Sequence, residues 1–264
     1  MSPFPPPEAH AAAPGTAGSD DGAAPGSRRS AFAPHDPLSD GEVHFLWHFV
    51  QGGFMDADVR VALRRAWGMC ERHAFAFLAV DAAFRHGHLH GPALVYEDLM
   101  QAALGALGPG APSRRRAVAR ALRDAGPCPI CALGYGPRSA GFPSDDVATR
   151  GRDLTEIRRF ALATERDWRS EVCCRCAGTG GSVRCRRHLA SDLRAGRPAA
   201  LEEERERVSR VAARLRRYSR SFRWELRGTD TPDDRAALVA AAGWCGGWGP
   251  WLWIAGENPG QEPR

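Results

Sequence analysis

Leu201–Trp224 reads LEEERERVSRVAARLRRYSRSFRW, and this stretch decides the fold class. Its apolar residues Leu201, Val208, Val211, Leu215, Tyr218 and Phe222 recur at helical spacing and so form one stripe along a long amphipathic helix. Glu202, Glu203, Glu204 and Glu206 occupy the first turns and arginines follow, an order that suits the positive N-terminal and negative C-terminal ends of a helix. A half-buried strand would need strict alternation of apolar and polar residues, and this stretch has none.

The same period extends outward in both directions. Upstream, Val43, Leu46, Trp47 and Val50 predict a helix from Asp40 to the Gly52-Gly53 pair, and Val59, Leu63 and Ala66 predict a second after Asp56. Cys70 to Arg85 reads as an apolar helix closed by Gly87, and Pro92 opens another through Leu94, Val95, Leu99 and Leu104. A short arginine-rich helix runs from Arg114 to Asp124. Asp153 is a predicted N-cap for a helix carrying Ile157, Phe160, Ala161 and Trp168, and Ser182 for one running to about Leu193. Downstream, Thr231-Pro232-Asp233-Asp234 starts a last helix, stopped by Gly243. Residues 133–152, rich in Gly, Pro and Ser, predict an irregular loop. No segment requires a strand, so the expected class is all-α: two helical Cys/His modules followed by the long amphipathic helix.

Residues 1–34 are rich in Pro, Ala and Gly and lack the apolar content to form a core, so they read as a disordered tail, as do residues 254–264. The Pro/Gly linker at Gly108 to Ser113 marks a boundary between a first module, 35–110, and a second, 111–253, that includes the C-terminal helices. The N-terminal stretch has no apolar run of the kind a signal peptide carries. The most apolar run, Ala74 to Phe84, is interrupted by Asp81 and is too short to span a bilayer. A cytoplasmic protein without a membrane segment is expected, with its cysteines in a reducing compartment.

Composition removes several chemistries. All 36 Lys+Arg positions are arginine, which excludes a P-loop lysine, a Schiff-base lysine and a Ser-Lys dyad. With the heavy Ala, Gly and Pro usage, this bias fits a GC-rich genome. The net charge of +5 permits an acidic partner, but it falls short of the concentrated basic surface of nucleic-acid binders. The arginines of residues 114–123 and 205–223 read as solvated faces rather than as a phosphate-contacting stripe. No metalloprotease, nucleophile-elbow or dinucleotide motif is present.

The chemistry lies in the cysteines. Cys128-Pro129-Ile130-Cys131 is a C-x-x-C knuckle, and Cys185-Arg186-Arg187-His188 is a C-x-x-H pair on the opening turn of a helix. Together they suit one tetrahedral zinc with no open position, hence a structural rather than catalytic ion. Cys173 and Cys176 form a second C-x-x-C separated from Cys185 by eight residues, and loop entropy does not separate the two candidate partners. A repeat favours the first. Trp67-Gly68-Met69-Cys70-Glu71-Arg72-His73 mirrors Val183-Arg184-Cys185-Arg186-Arg187-His188, each followed by a helix, and Asp36-Pro37-Leu38-Ser39 stands where the first copy would carry its C-P-x-C. On that reading the first module has lost its ion, and Asp36, Cys70 and His73 form at most a weak second site. The histidines His44, His48, His86, His88 and His90 read as solvated helix ends, and Trp244, Trp248, Trp251 and Trp253 as packing residues.

These residues resemble a family of uncharacterised bacterial proteins, a domain of unknown function, built of repeated modules with C-P-x-C followed by G-x-C-x-x-H. The resemblance covers most of residues 36–243, through the G-M-C-E-R-H and V-R-C-R-R-H motifs, Gly91 to Leu99, and Tyr218 to Trp224. It implies that Cys128 and Cys131 pair with Cys185 and His188, and it implies no activity. This chain departs from the pattern in lacking the first C-P-x-C and in the long loop at 133–152.

The expected function is that of a zinc-stabilised interaction or regulatory protein, not an enzyme, with helical surfaces and the aromatic C-terminal segment open to a protein partner. Two rivals are a thiol-disulfide oxidoreductase using Cys128 and Cys131, and a nucleic-acid binder using the arginine-rich helices.

Overall fold

A computed structural model describes residues 36–108, 115–197 and 199–256, and among these every regular element is helical. The tail predicted at 1–34 lies outside the described residues, as does most of the linker at Gly108 to Ser113. Of the C-terminal tail predicted at 254–264, Ile254 instead ends a helix and is buried, and residues 257–264 lie outside the described residues.

Local capping fixes the helix starts. Ser39 caps α1 (Asp40–Phe49) in a capping box with Glu42, Asp56 caps α2 (Ala57–Arg65), and Thr231 caps α13 (Pro232–Cys245) in a second box with Asp234. Each supplies a side-chain oxygen to backbone N–H groups that have no partner within the helix.

Two helices are buried nearly all round and form the middle of the molecule: α3 (Glu71–Phe84) and α13. A helix that is apolar on every face must be covered on every face. Around α3 lie α1, α7 (Asp145–Gly151), α8 (Thr155–Ala163), α14 (Gly249–Ile254) and α4 (His90–Ala106). Around α13 lie α12 (Leu201–Arg220), α4, α8, α9 (Glu165–Trp168) and α11 (Arg186–Arg194), the last packed on α5 (Arg115–Ala121). The predicted stripe of α12 faces inward: Leu201, Val208, Val211, Leu215 and Tyr218 are all buried. Helices α4 and α12 run antiparallel, as Glu97 accepts from Arg216 and Ser219 near one end while Met100 lies with Val208 and Val211 further along. This packing crosses the boundary predicted near residue 110, and one buried core runs through both sides of it.

Several local expectations are corrected. Residues 133–152 are not wholly irregular: α7 lies within them, capped by Ser144. It docks on α1 where Gly151 leaves room, since a Cβ there would lie 2.6 Å from Val43. The helix expected from Asp153 through Trp168 breaks at Thr164 into α8 and α9. Asp153 does accept from the Thr155 amide at 2.8 Å. Ser182 caps nothing, because α11 starts after Cys185. Gly243 does not stop α13; its missing side chain admits the Trp248 indole, whose carbons would lie 2.6 Å from a Cβ.

Candidate metal centres

The first centre grows from the start of α3. The chain turns through left-handed backbone at Trp67 and Gly68 and then enters extended backbone at Cys70, the residue before the helix. Helical spacing places His73 on the same face, and its Nδ1 lies 3.3 Å from the Cys70 Sγ. Facing them is the knuckle of α6 (Pro129–Ala132), with Cys128 before its first turn and Cys131 within it. The His73 Nδ1 lies 3.5 Å from the Cys128 Sγ and 3.3 Å from the Cys131 Sγ, and Cys70 and Cys131 are 3.8 Å apart.

The second centre repeats this construction. Cys185 precedes α11 in extended backbone, and Cys173 precedes the single turn α10 (Cys174–Ala177). The His188 Nδ1 lies 3.2, 3.4 and 3.3 Å from the sulfurs of Cys173, Cys176 and Cys185, and the Cys176 and Cys185 sulfurs are 3.8 Å apart. Gly178, in the left-handed conformation, ends the short turn and starts the return toward Cys185.

Each set offers four ligand atoms within 4.8 Å of one another. A tetrahedral zinc, with Zn–S of about 2.3 Å and Zn–N of about 2.0 Å, sets S···S edges of about 3.8 Å and S···N edges of about 3.5 Å. The observed separations are those edges. Among the described residues these are the two groups of three or more Cys, His or acidic side chains able to hold a metal ion.

The four residues expected to share one ion are therefore divided. Cys128 and Cys131 lie with Cys70 and His73, whereas Cys185 and His188 lie with Cys173 and Cys176. The reason is local: the knuckle nearest in sequence to Cys185 folds back onto it through the Gly178–Gly181 turn, while α6 packs beside α2, next to the start of α3. Asp36 belongs to neither set; its carboxylate lies 3.7 Å from Arg72. Ser39, read as a lost zinc position, is instead the cap of α1, and its hydroxyl donates to the Gly136 carbonyl at 2.8 Å. The motif count held the missed signal: two C-x-x-H pairs and two C-x-x-C knuckles make two complete sets.

The centres differ in what surrounds them. The His73 Nε2 meets the Glu42 carboxylate at 3.1 Å, and Glu42 also accepts from the Arg72 Nε at 2.6 Å and from another Arg72 nitrogen at 2.7 Å. Such a carboxylate fixes the tautomer that presents Nδ1 to a metal. Burial works to raise the Glu42 carboxyl, but hydrogen bonds from Arg72, His73 and the Ser39 amide outweigh it and hold the group down at about 2. In the second centre, hydrogen bonding to the Cys173 and Cys185 sulfurs raises the His188 imidazole to about 10. Hydrogen bonding from Cys70 draws the Cys128 thiol down to about 3, and burial pushes Cys131 up to about 11.

The remaining cysteines stand apart. Cys174 turns its sulfur toward Gly181, where a Cβ would lie 2.7 Å away, and Cys245 is buried in α13. His44 and His48 stack edge to face at 4.9 Å, and His90 stacks on Phe222 at 4.6 Å. Trp244, Trp248 and Trp251 are buried, as the packing reading expects. No helix of the described residues is long and apolar enough to cross a membrane.

The fold and the two centres define an all-α chain with a pair of Cys/His clusters able to hold metal ions. Comparison with protein-family models, curated proteins and solved structures finds no match for it.

Proposed function

We propose that the chain is a helical protein stabilised by two structural zinc ions and that it acts as an interaction or regulatory module. The observation that carries the reading is the convergence of three sulfurs and one imidazole nitrogen, twice, at the edge lengths of a tetrahedral site. Four protein ligands leave no position for substrate or water, so the ion's contribution is to folding. Work on a partner then falls to the protein surface. Trp224 and Phe142 are exposed by 81% and 92%, the kind of aromatic side chain that anchors interfaces.

The dithiol reading fares less well. Cys128 and Cys131 share their imidazole with a third sulfur, Cys70, which an exchange site does not need. Binding along the α12 arginines is also disfavoured. Arg205, Arg207, Arg214, Arg216 and Arg217 are each paired with an acidic side chain.

Titration of the apo-protein with cobalt(II) tests the zinc reading. Intense sulfur-to-metal charge-transfer bands and tetrahedral d–d bands should saturate at two equivalents per chain and be bleached by zinc. A purified, reduced chain that binds no cobalt and catalyses disulfide exchange would establish the dithiol reading instead.

A further inference from the structure

At one end of the antiparallel α4–α12 pair lies a groove of about 550 Å³, lined by His90, Leu94, Glu97, Arg216, Ser219, Arg220, Phe222 and Arg223. That volume suits a small organic ligand. The groove shares no residue with either metal centre.

Its lining is divided chemically. Leu94 and the stacked His90–Phe222 pair form an apolar, partly aromatic wall. Arg220 and Arg223 are exposed, and neither has an ion-pair partner among the described residues. Arg216 is already engaged by Glu97, at 3.3 Å. Two guanidinium forks lining the same groove, unpaired among the described residues, suit a planar or tetrahedral oxyanion. Glu97, which also accepts from the Ser219 hydroxyl at 2.5 Å, adds a fixed carboxylate to the groove lining. A purely acidic ligand such as an aspartate-rich peptide would meet repulsion there. A ligand with an oxyanion at one end, a flat ring at the other and hydrogen-bond donors between them would use all three features.

We propose that this groove binds a nucleotide, with its phosphate on Arg220 and Arg223, its base against the His90–Phe222 wall, and a sugar hydroxyl or base amine donating to Glu97. The two arginines supply charge-assisted hydrogen bonds that the paired arginines of α12 cannot offer. Ring stacking adds the part of the affinity that inorganic phosphate lacks.

The test is isothermal titration of the full chain, as purified, with AMP, adenosine and inorganic phosphate. AMP should bind saturably with a Kd below about 1 mM, and adenosine and phosphate each at least about tenfold more weakly. The double variant Arg220→Gln/Arg223→Gln, at exposed positions, should keep the wild-type circular dichroism and melting temperature while losing about tenfold or more in AMP affinity. Equal affinity for phosphate and AMP would overturn the proposal, as would unchanged AMP binding in the double variant or the absence of saturable AMP binding. A short single-stranded oligonucleotide forms the last arm: if it binds, loses that binding in the double variant and is not displaced by AMP, the surface is a strand-binding face and the nucleotide site is refuted.

Discussion

Single side chains separate ligands from neighbours in these centres. Cys173 and Cys174 are adjacent, yet only Cys173 converges on His188, while Cys174 points at Gly181. Cys174→Ser should keep the full metal content, and Cys173→Ser should lose one equivalent, as read by elemental analysis. Glu42 supports the first centre from behind, held by Arg72 and touching the His73 Nε2. Glu42→Ala strips a buried guanidinium of its carboxylate, a change that costs about 3–5 kcal/mol. Removing such a carboxylate typically weakens metal binding by about 10–100-fold. Denaturant unfolding and a chelator competition measure the two effects; wild-type values in both would show that Glu42 supports nothing.

At the scale of elements, the helices built on apolar period and capping were legible: α1, α2, α3, α12 and α13 start where Asp40, Asp56, Cys70, the Glu run and Thr231 predict, although the Ser39 cap of α1 was not read as one. What escaped is short. Helix α7 spans seven residues, too few to display a period, and only Ser144 announces it. Breaks such as Thr164 are set by packing, not by a breaker residue. Asp81 in α3 illustrates the energetics hidden from the pattern. Burial raises its carboxyl to about 8, with Arg85 pulling it down, and its Oδ2 has no hydrogen-bond partner among the described residues. Because the folded value lies above the unfolded one of 3.8, the folded chain holds a proton that the unfolded chain releases. The contribution of Asp81 to stability is therefore fully present below about pH 4 and is lost as pH rises toward and through about 8. In Asp81→Asn that loss should vanish, so its melting temperature should gain on wild type from pH 5 to about 8 and level off above it; parallel curves would exclude an ionisable Asp81. Gly243 offers a steric counterpart. Gly243→Ala would set a methyl 2.6 Å from the Trp248 indole carbons and should cost about 1–3 kcal/mol in chemical denaturation.

For the whole molecule, the two centres differ in the span each would close. The first joins Cys128 to His73 across 55 residues, the second Cys173 to His188 across 15. Loop-closure entropy grows only as the logarithm of that span, which makes the first crosslink worth about 1 kcal/mol more than the second. Stepwise chelation should thus lower the melting temperature twice, with the larger drop on emptying the first centre. The same slow growth explains why pairing was the illegible part of the site. Every ligand residue was visible as a C-x-x-C or C-x-x-H motif, but spacing alone ranks neither partner, and the Asp36–Ser39 segment sat where a third knuckle was expected.

The pairing itself is open to a direct measurement: zinc per chain in the wild type, in Cys70→Ser, in Cys173→Ser and in the double variant. The expected values are two, one, one and none. A double variant that still holds one zinc, removed only by a further change at Cys128 or Cys185, would place those residues around a common ion and contradict the pairing.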